Sequence, residues 1–294
     1  MYTIALSANP LSIDGVGTKA ASLATLLTHG IMVPPGFVVT TAAHRRFLEA
    51  NAVPNGGCDV DKTVWPAELA DEIEMHLAHY PPSTRWAVRS SGTVEDLAEA
   101  SFAGQYDTFL DVPRDKVLSR IRDCWASLSS PHAASYAQER GLSLQDTLMG
   151  VIVQTLVAAD VAGVSFSRHP VTGDDSVVIN AAYGLGEAVV SGVVTPDSFE
   201  VNKATKGIVS YLGFKESQIR LAKAGGTELI ETPPEQQDVY CIGPDQVLEI
   251  SAITERLETL VGYPVDVEWA LQAGTLYCLQ MRPITLAIPG GNRS

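Results

Sequence analysis

Long apolar runs are missing from this 294-residue chain, and no stretch of about 18 apolar residues could cross a bilayer. The opening MYTIALSANPLSIDG has no basic segment ahead of an apolar one, so no secretory leader is expected. Cysteine is scarce too. Cys58, Cys124, Cys241 and Cys278 stand far apart with no CxxC pair, which argues against a disulfide framework or a zinc site. Cys124 and Cys278 lie in apolar runs and read as small buried hydrophobes. Positive charge is also short. Twenty Lys and Arg against 34 Asp and Glu leave a formal net charge of −14, which makes nucleic acid and anionic membranes poor partners. A cytoplasmic protein is expected, and an anionic ligand would need a local cluster of Lys and Arg.

What is present suits a compact globular chain: 46% hydrophobic and 18% charged residues, with no internal repeat and no low-complexity tract. Helical spacing marks residues 18–30, 42–50, 67–79 and 244–262, and residues 114–140 read as helical with a break at Pro131. Strand-like runs are RWAVRSS, DTFLDV, LMGVIVQTLV, AGVSFS, SVVINAAYG, GIVSYLG, ELIET, VDVEWALQ and TLYCLQMRPIT. Helices and strands mix without strict βαβ alternation, so the fold class is α+β.

Four segments carry residue types suited to chemistry. In Gly15-Val16-Gly17-Thr18-Lys19, glycines precede a helix whose first turn holds a lysine, an arrangement that favours phosphate. It is not a Walker A loop, because Thr precedes the lysine. A capped surface helix with a solvated lysine is the plainer reading. In VRSSGTVED, continuing to SFAGQ, Arg89 ends an apolar strand ahead of small hydroxyl residues and could present a fixed fork to phosphate oxygens. The alternative is a polar loop with Arg89 paired to Glu95 or Asp96. Gly184-Leu185-Gly186-Glu187 lacks the third glycine of a dinucleotide fingerprint, so a turn needing positive φ is the simpler account. The last segment pairs DVEWA with LQMRP. Alternation puts Asp266, Glu268 and Ala270 on one face, and a turn near Ala273-Gly274 would bring Glu268 towards Gln280 and Arg282. A carboxylate with an amide oxygen suits Mg²⁺, and Arg282 could neutralise a transferring phosphoryl group. An ordinary Glu–Arg cross-strand pair is the competing explanation.

In order, GTKAASLATLLTHGIMVPPGFVVT, VRSSGTVEDLAEASFAGQYDTFLDV, CWASLSS, QTLVAADVAGVSFSRHPVTG, AAYGLGEAVVSGVVTPDSF and DVEWALQAGTLYCLQMRPIT resemble one family. It is the N-terminal ATP-binding domain of pyruvate phosphate dikinase, phosphoenolpyruvate synthase and rifampin phosphotransferase, and the resemblance runs from about Gly15 to Thr285. It implies a single ATP-grasp-like domain over 1–294, with approximate subdomains 1–112, 113–198 and 199–286 enclosing a nucleotide cleft and a tail at 287–294. It further implies that Lys19 contacts ATP phosphates, that Arg89 lies on the phosphate chain, and that Gly104 and Thr108 belong to a loop closing over the phosphates. Gln154 would lie on the strand beside the adenine. Glu268, Gln280 and Arg282 would surround Mg²⁺ and the phosphates, with Glu268 and Gln280 as metal ligands; Lys19, Arg89 and Arg282 would serve catalysis. Two departures stand out: GTKA in place of the usual GGKG, and Arg168-His169-Pro170 where relatives often carry an acidic residue before the proline.

The family's phosphorylated histidine belongs to another domain, in a Gly-Thr-x-His type motif. None of the six histidines here (His29, His44, His76, His79, His132, His169) lies in such a sequence. The expected activity is therefore Mg-ATP-dependent phosphorylation of a small-molecule acceptor. The alternatives are transfer to a phospho-histidine domain on a separate protein and a non-catalytic nucleotide-binding module. Ligase chemistry through an acyl phosphate ranks below these.

Overall fold

The computed structural model describes residues 1–7, 9–53, 63–93, 96–97, 100–101, 107–128, 130 and 147–284. They form two compact units of mixed helix and sheet. One comprises Met1–Leu156 with Lys223–Gly226, the other Val157–Ala222 with Thr227–Ser294. The division falls inside the 113–198 segment that the sequence reading treats as one subdomain.

The first unit is built on strands β1 (Thr3–Ala5), β2 (Gly36–Val39), β3 (Trp86–Gly92), β6 (Thr108–Val112) and β7 (Met149–Thr155), with a two-residue hairpin, β4 (Asp96–Leu97) and β5 (Ala100–Ser101), apart from them. The sheet order is β1-β2-β7-β3-β6, and each neighbouring pair is antiparallel. Its helices are α1 (Ile13–Val16), α2 (Thr18–Thr28), α3 (Thr41–Ala50), α4 (Ala67–Leu77) and α5 (Val117–Ser127). Alternation along the strands sends Phe37, Val39, Trp86, Val88, Val151 and Val153 to one face. There they meet Phe47 of α3, Leu69 and Ile73 of α4, and Ile121 and Trp125 of α5. Arg89, Ser91, Thr108 and Gln154 consequently take the other face, against which α1 and α2 pack. Local chemistry sets the helix ends. Thr40 Oγ1 accepts from Ala43 N at 3.3 Å to open α3. Gly30, at φ 69°, closes α2 by letting Ile31 N reach Leu26 O at 3.0 Å.

His44 shows how closely that core is specified. Its ring stacks on Trp125 with centroids 5.0 Å apart, and its Nδ1 accepts from Met149 N at 3.2 Å. A protonated Nδ1 could not accept that bond, and burial pushes the imidazole down to about 3. The unfolded imidazole titrates near 6.5, so the unfolded chain binds the extra proton first as the solution is acidified. The stabilisation from neutral His44 is complete above pH 6.5 and is lost as pH falls towards 3. We expect the melting temperature of the wild type to fall more steeply between pH 6.5 and 4 than that of His44→Gln, whose amide oxygen can accept at any pH. Parallel melting curves across that range would remove His44 from the acid sensitivity.

In the second unit, β8 (Val161–Phe166), β9 (Ser176–Tyr183), β10 (Asp197–Asn202), β11 (Ile208–Tyr211), β14 (Val265–Gln272) and β15 (Thr275–Pro283) make an antiparallel sheet of order β11-β10-β9-β8-β14-β15. A separate hairpin joins β12 (Ser217–Leu221) to β13 (Thr227–Glu231). Two single-turn helices, α6 (Glu187–Val190) and α7 (Pro234–Gln237), precede the long α8 (Pro244–Val261). α8 starts with proline in its first turn and stops at Gly262 in the left-handed conformation. It covers one sheet face, where Val247 and Ile250 pack with Val161, Ile179, Phe199 and Trp269, and Thr254 Oγ1 bonds Ser165 Oγ at 2.7 Å. Asp266 and Glu268 alternate with these inward residues and occupy the opposite face. Among the described residues no helix is long and apolar enough to cross a membrane.

Candidate functional site

The first unit gathers the lysine and arginine segments at one end of its sheet. Arg89 and Thr108 are direct cross-strand partners between β3 and β6, so an arginine and a hydroxyl share one position on the face away from the main core. Two residues further along β3, Ser91 Oγ accepts from Ala20 N at 3.1 Å, which docks the strand onto the first turn of α2 beside Lys19. Thr18 Oγ1 donates to Gly92 O at 3.3 Å. The departure from a glycine-rich lysine loop therefore has a physical content: Thr18 begins a regular helix and ties it to β3. Lys19 is mostly buried, at 9% exposure. Gln154 shares this sheet face on β7 but is almost fully enclosed, and its Nε2 donates to Pro34 O at 2.9 Å. Gly104 lies outside the described residues, as do residues 131–140 of the expected helix.

The second unit assembles the acidic set. In the β14–β15 register Glu268 stands opposite Gln280 and Asp266 opposite Arg282, as the alternation predicts for the face. A register shift at Glu268/Trp269 follows, with Leu279 as the extra residue on β15. Asp266 and Arg282 form an ion pair, with Arg282 Nε and Nη2 reaching Asp266 Oδ2 at 2.8 and 2.7 Å. Arg282 is thus held as a fixed fork with 27% of its side chain exposed, while Glu268 stays half-buried beside a buried Gln280. A carboxylate and an amide oxygen side by side are hard oxygen donors of the kind Mg²⁺ takes, and the residues present fit that ion. The same row continues through Val164 of β8 to Asn180 of β9. The sequence reading missed Asn180, because only the strand order places it on the row of Glu268 and Gln280.

Two other segments find structural explanations. Gly184, at φ 82°, bridges to Ile219, and a β-carbon there would fall 2.2 Å from Ile219 O. Gly186 is at φ −60°, so only the first glycine of GLG needs the left-handed region. His169 sits in a tight turn in which its Nδ1 accepts from Val171 N and Thr172 N, both at 3.2 Å.

The chain as a whole has counterparts among known proteins. A family profile described as "Pyruvate phosphate dikinase, AMP/ATP-binding domain" matches residues 13–56 and 59–290. The chain belongs to this family. A Bacillus subtilis phosphotransferase, YvkC, is 39% identical over 292 residues, covering 97% of this chain and 35% of the relative. The rifampicin phosphotransferase of Bacillus cereus is 32% identical over 300 residues, covering 93% of this chain and 34% of that protein. The chain therefore spans about a third of the length of these relatives. Among solved structures, the D-alanine–D-alanine ligase of Helicobacter pylori aligns with 74% of this chain and 48% of its own at 5% identity and a TM-score of 0.34, too slight a likeness to carry weight. Every described candidate position of the dikinase AMP/ATP-binding domain, from Lys19 to Arg282, lies within the matched residues.

Proposed function

We propose that this chain binds Mg·ATP in an ATP-grasp-like nucleotide cleft and transfers a phosphoryl group to a small-molecule acceptor. The observation that carries the reading is the β14–β15 pair, which sets Glu268 against Gln280 and fixes Arg282 through Asp266. Phosphoryl transfer asks a protein mainly for positioning and charge neutralisation. Lys19, Arg89 and Thr108 bind phosphate oxygens, Arg282 neutralises charge on the group in flight, and Glu268 and Gln280 hold the metal. A magnesium ion held by Glu268 and Gln280 would offset negative charge on the phosphate oxygens. The family membership and the small-molecule substrate named for the B. cereus relative support this assignment.

Separating the nucleotides after incubation of the chain with Mg·ATP and candidate acceptors tests the reading. ATP consumption should require both Mg²⁺ and an acceptor, and no acid-labile phosphate should remain on the protein. His169→Ala should keep the activity within about threefold, since its imidazole nitrogen bonds amides of its own turn. Stoichiometric label on the protein that disappears in His169→Ala would replace direct transfer with a covalent phospho-histidine route.

A further inference from the structure

The junction between α1 and α2 is held by backbone contact with two neighbouring strands. Gly17, at φ 83° and ψ 168°, has no room for a side chain: a β-carbon would fall 1.9 Å from Ser91 O and 2.4 Å from Ser91 Oγ. The cross-strand partner of Ser91 is Gly150, where a β-carbon would fall 2.3 Å from Val16 O. These glycines let β3 and β7 approach the turn that feeds α2. They also leave α2 without a cap of its own, because the residue at its N-cap is Gly17 and no side chain there can accept a helix amide. Ser91 supplies the missing acceptor from β3, through the 3.1 Å bond from Ala20 N. Both residues are fully enclosed, so water cannot take its place.

We propose that Ser91 is a positioning residue for nucleotide binding, a helix cap provided by another element, which fixes the first turn of α2 and so sets Lys19 against Arg89. Ala20 directly follows Lys19, and Arg89 lies two residues before Ser91 on the same sheet face. One hydroxyl therefore couples the two phosphate-binding segments. The inference rests on the Mg·ATP reading above.

Calorimetric titration of ATP with Mg²⁺ into the wild type, Ser91→Ala, Lys19→Ala and the double variant tests it. Ser91→Ala should bind ATP about five- to tenfold more weakly, the effect of losing one cap. The double variant should bind no more weakly than Lys19→Ala, because the hydroxyl acts through that lysine. Unchanged affinity in folded Ser91→Ala, or losses that multiply in the double variant, would reduce Ser91 to a packing residue and overturn the proposal. Amide exchange in the wild type gives a second readout that needs no variant to fold. The first amides of a helix have no partner within it, so slow exchange at Ala20 supports the cap and rapid exchange overturns it. A wild type that binds no ATP while Ala20 is protected sinks the Mg·ATP reading, and the positioning role with it, but leaves the cap in place.

Discussion

Glu268→Ala is expected to lower Mg·ATP-dependent turnover by about a hundredfold or more, the scale seen when a group that holds a metal or a developing charge is removed. Glu268 lies on β14, between β8 and β15, and the backbone pairing on both sides does not depend on its carboxylate. The side chain is half-buried on the face away from α8. Its loss should therefore move the thermal midpoint by no more than about 4 °C. Steady-state rates across a magnesium series would check both halves of the expectation. Turnover close to the wild type at saturating Mg²⁺ would take Glu268 out of the metal site, and a collapse of the thermal midpoint would make it a folding residue.

The second large effect concerns stability. Asp197 and Lys215 form an ion pair with both side chains enclosed, Lys215 Nζ lying 2.5 Å from Asp197 Oδ1. The same carboxylate accepts from Gly213 N at 2.9 Å and, through Oδ2, from Cys241 N at 2.8 Å. It thereby fastens the start of β10 to the segment ahead of β12 and to the approach to α8. Lys215 also takes φ 38°, a conformation that a residue with a side chain rarely adopts. Asp197→Ala strands a buried ammonium and two amides, and should cost about 3–5 kcal/mol. Removing both charges together is the informative comparison. Asp197→Asn combined with Lys215→Met keeps an amide acceptor and should be more stable than Asp197→Asn alone, since no unpaired charge remains. Chemical denaturation of the three variants measures this. A loss below about 1 kcal/mol for Asp197→Ala would mean that the pair is not buried in solution.

Local sequence made much of this structure legible. The periodicity of residues 18–30, 42–50, 67–79 and 244–262, with Gly30 closing the first, appears within a few residues as α2, α3, α4 and α8. Alternation along VDVEWALQ, with a turn at Ala273 and Gly274 where both φ angles are positive, foretold which residues of β14 and β15 share a face. Partners were harder. Arg282 pairs with Asp266 because the two strands run in register from Val265 to Glu268, and no single strand reveals that offset. The strands β1, β10 and β12 escaped notice. The first is three residues long, and the other two carry polar residues such as Asp197, Glu200 and Arg220 that blur their pattern. Ser91 and Asn180 gain their meaning only from sheet order, which puts Ser91 beside Gly150 and Asn180 on the row of Glu268. Gln154, selected by resemblance, is largely enclosed on β7, with its amide donating to Pro34 O.

The proposed function rests on magnesium-dependent ATP binding by this chain. It is tested most directly by titrating ATP into the intact chain, with Mg²⁺ and with chelator, for the wild type, Lys19→Ala and Glu268→Ala. The account predicts one ATP per chain, binding that weakens sharply without Mg²⁺, and weaker binding in both variants, with the magnesium dependence blunted in Glu268→Ala. Wild-type affinity and full magnesium dependence in Glu268→Ala, or no binding by the wild type at all, would contradict it.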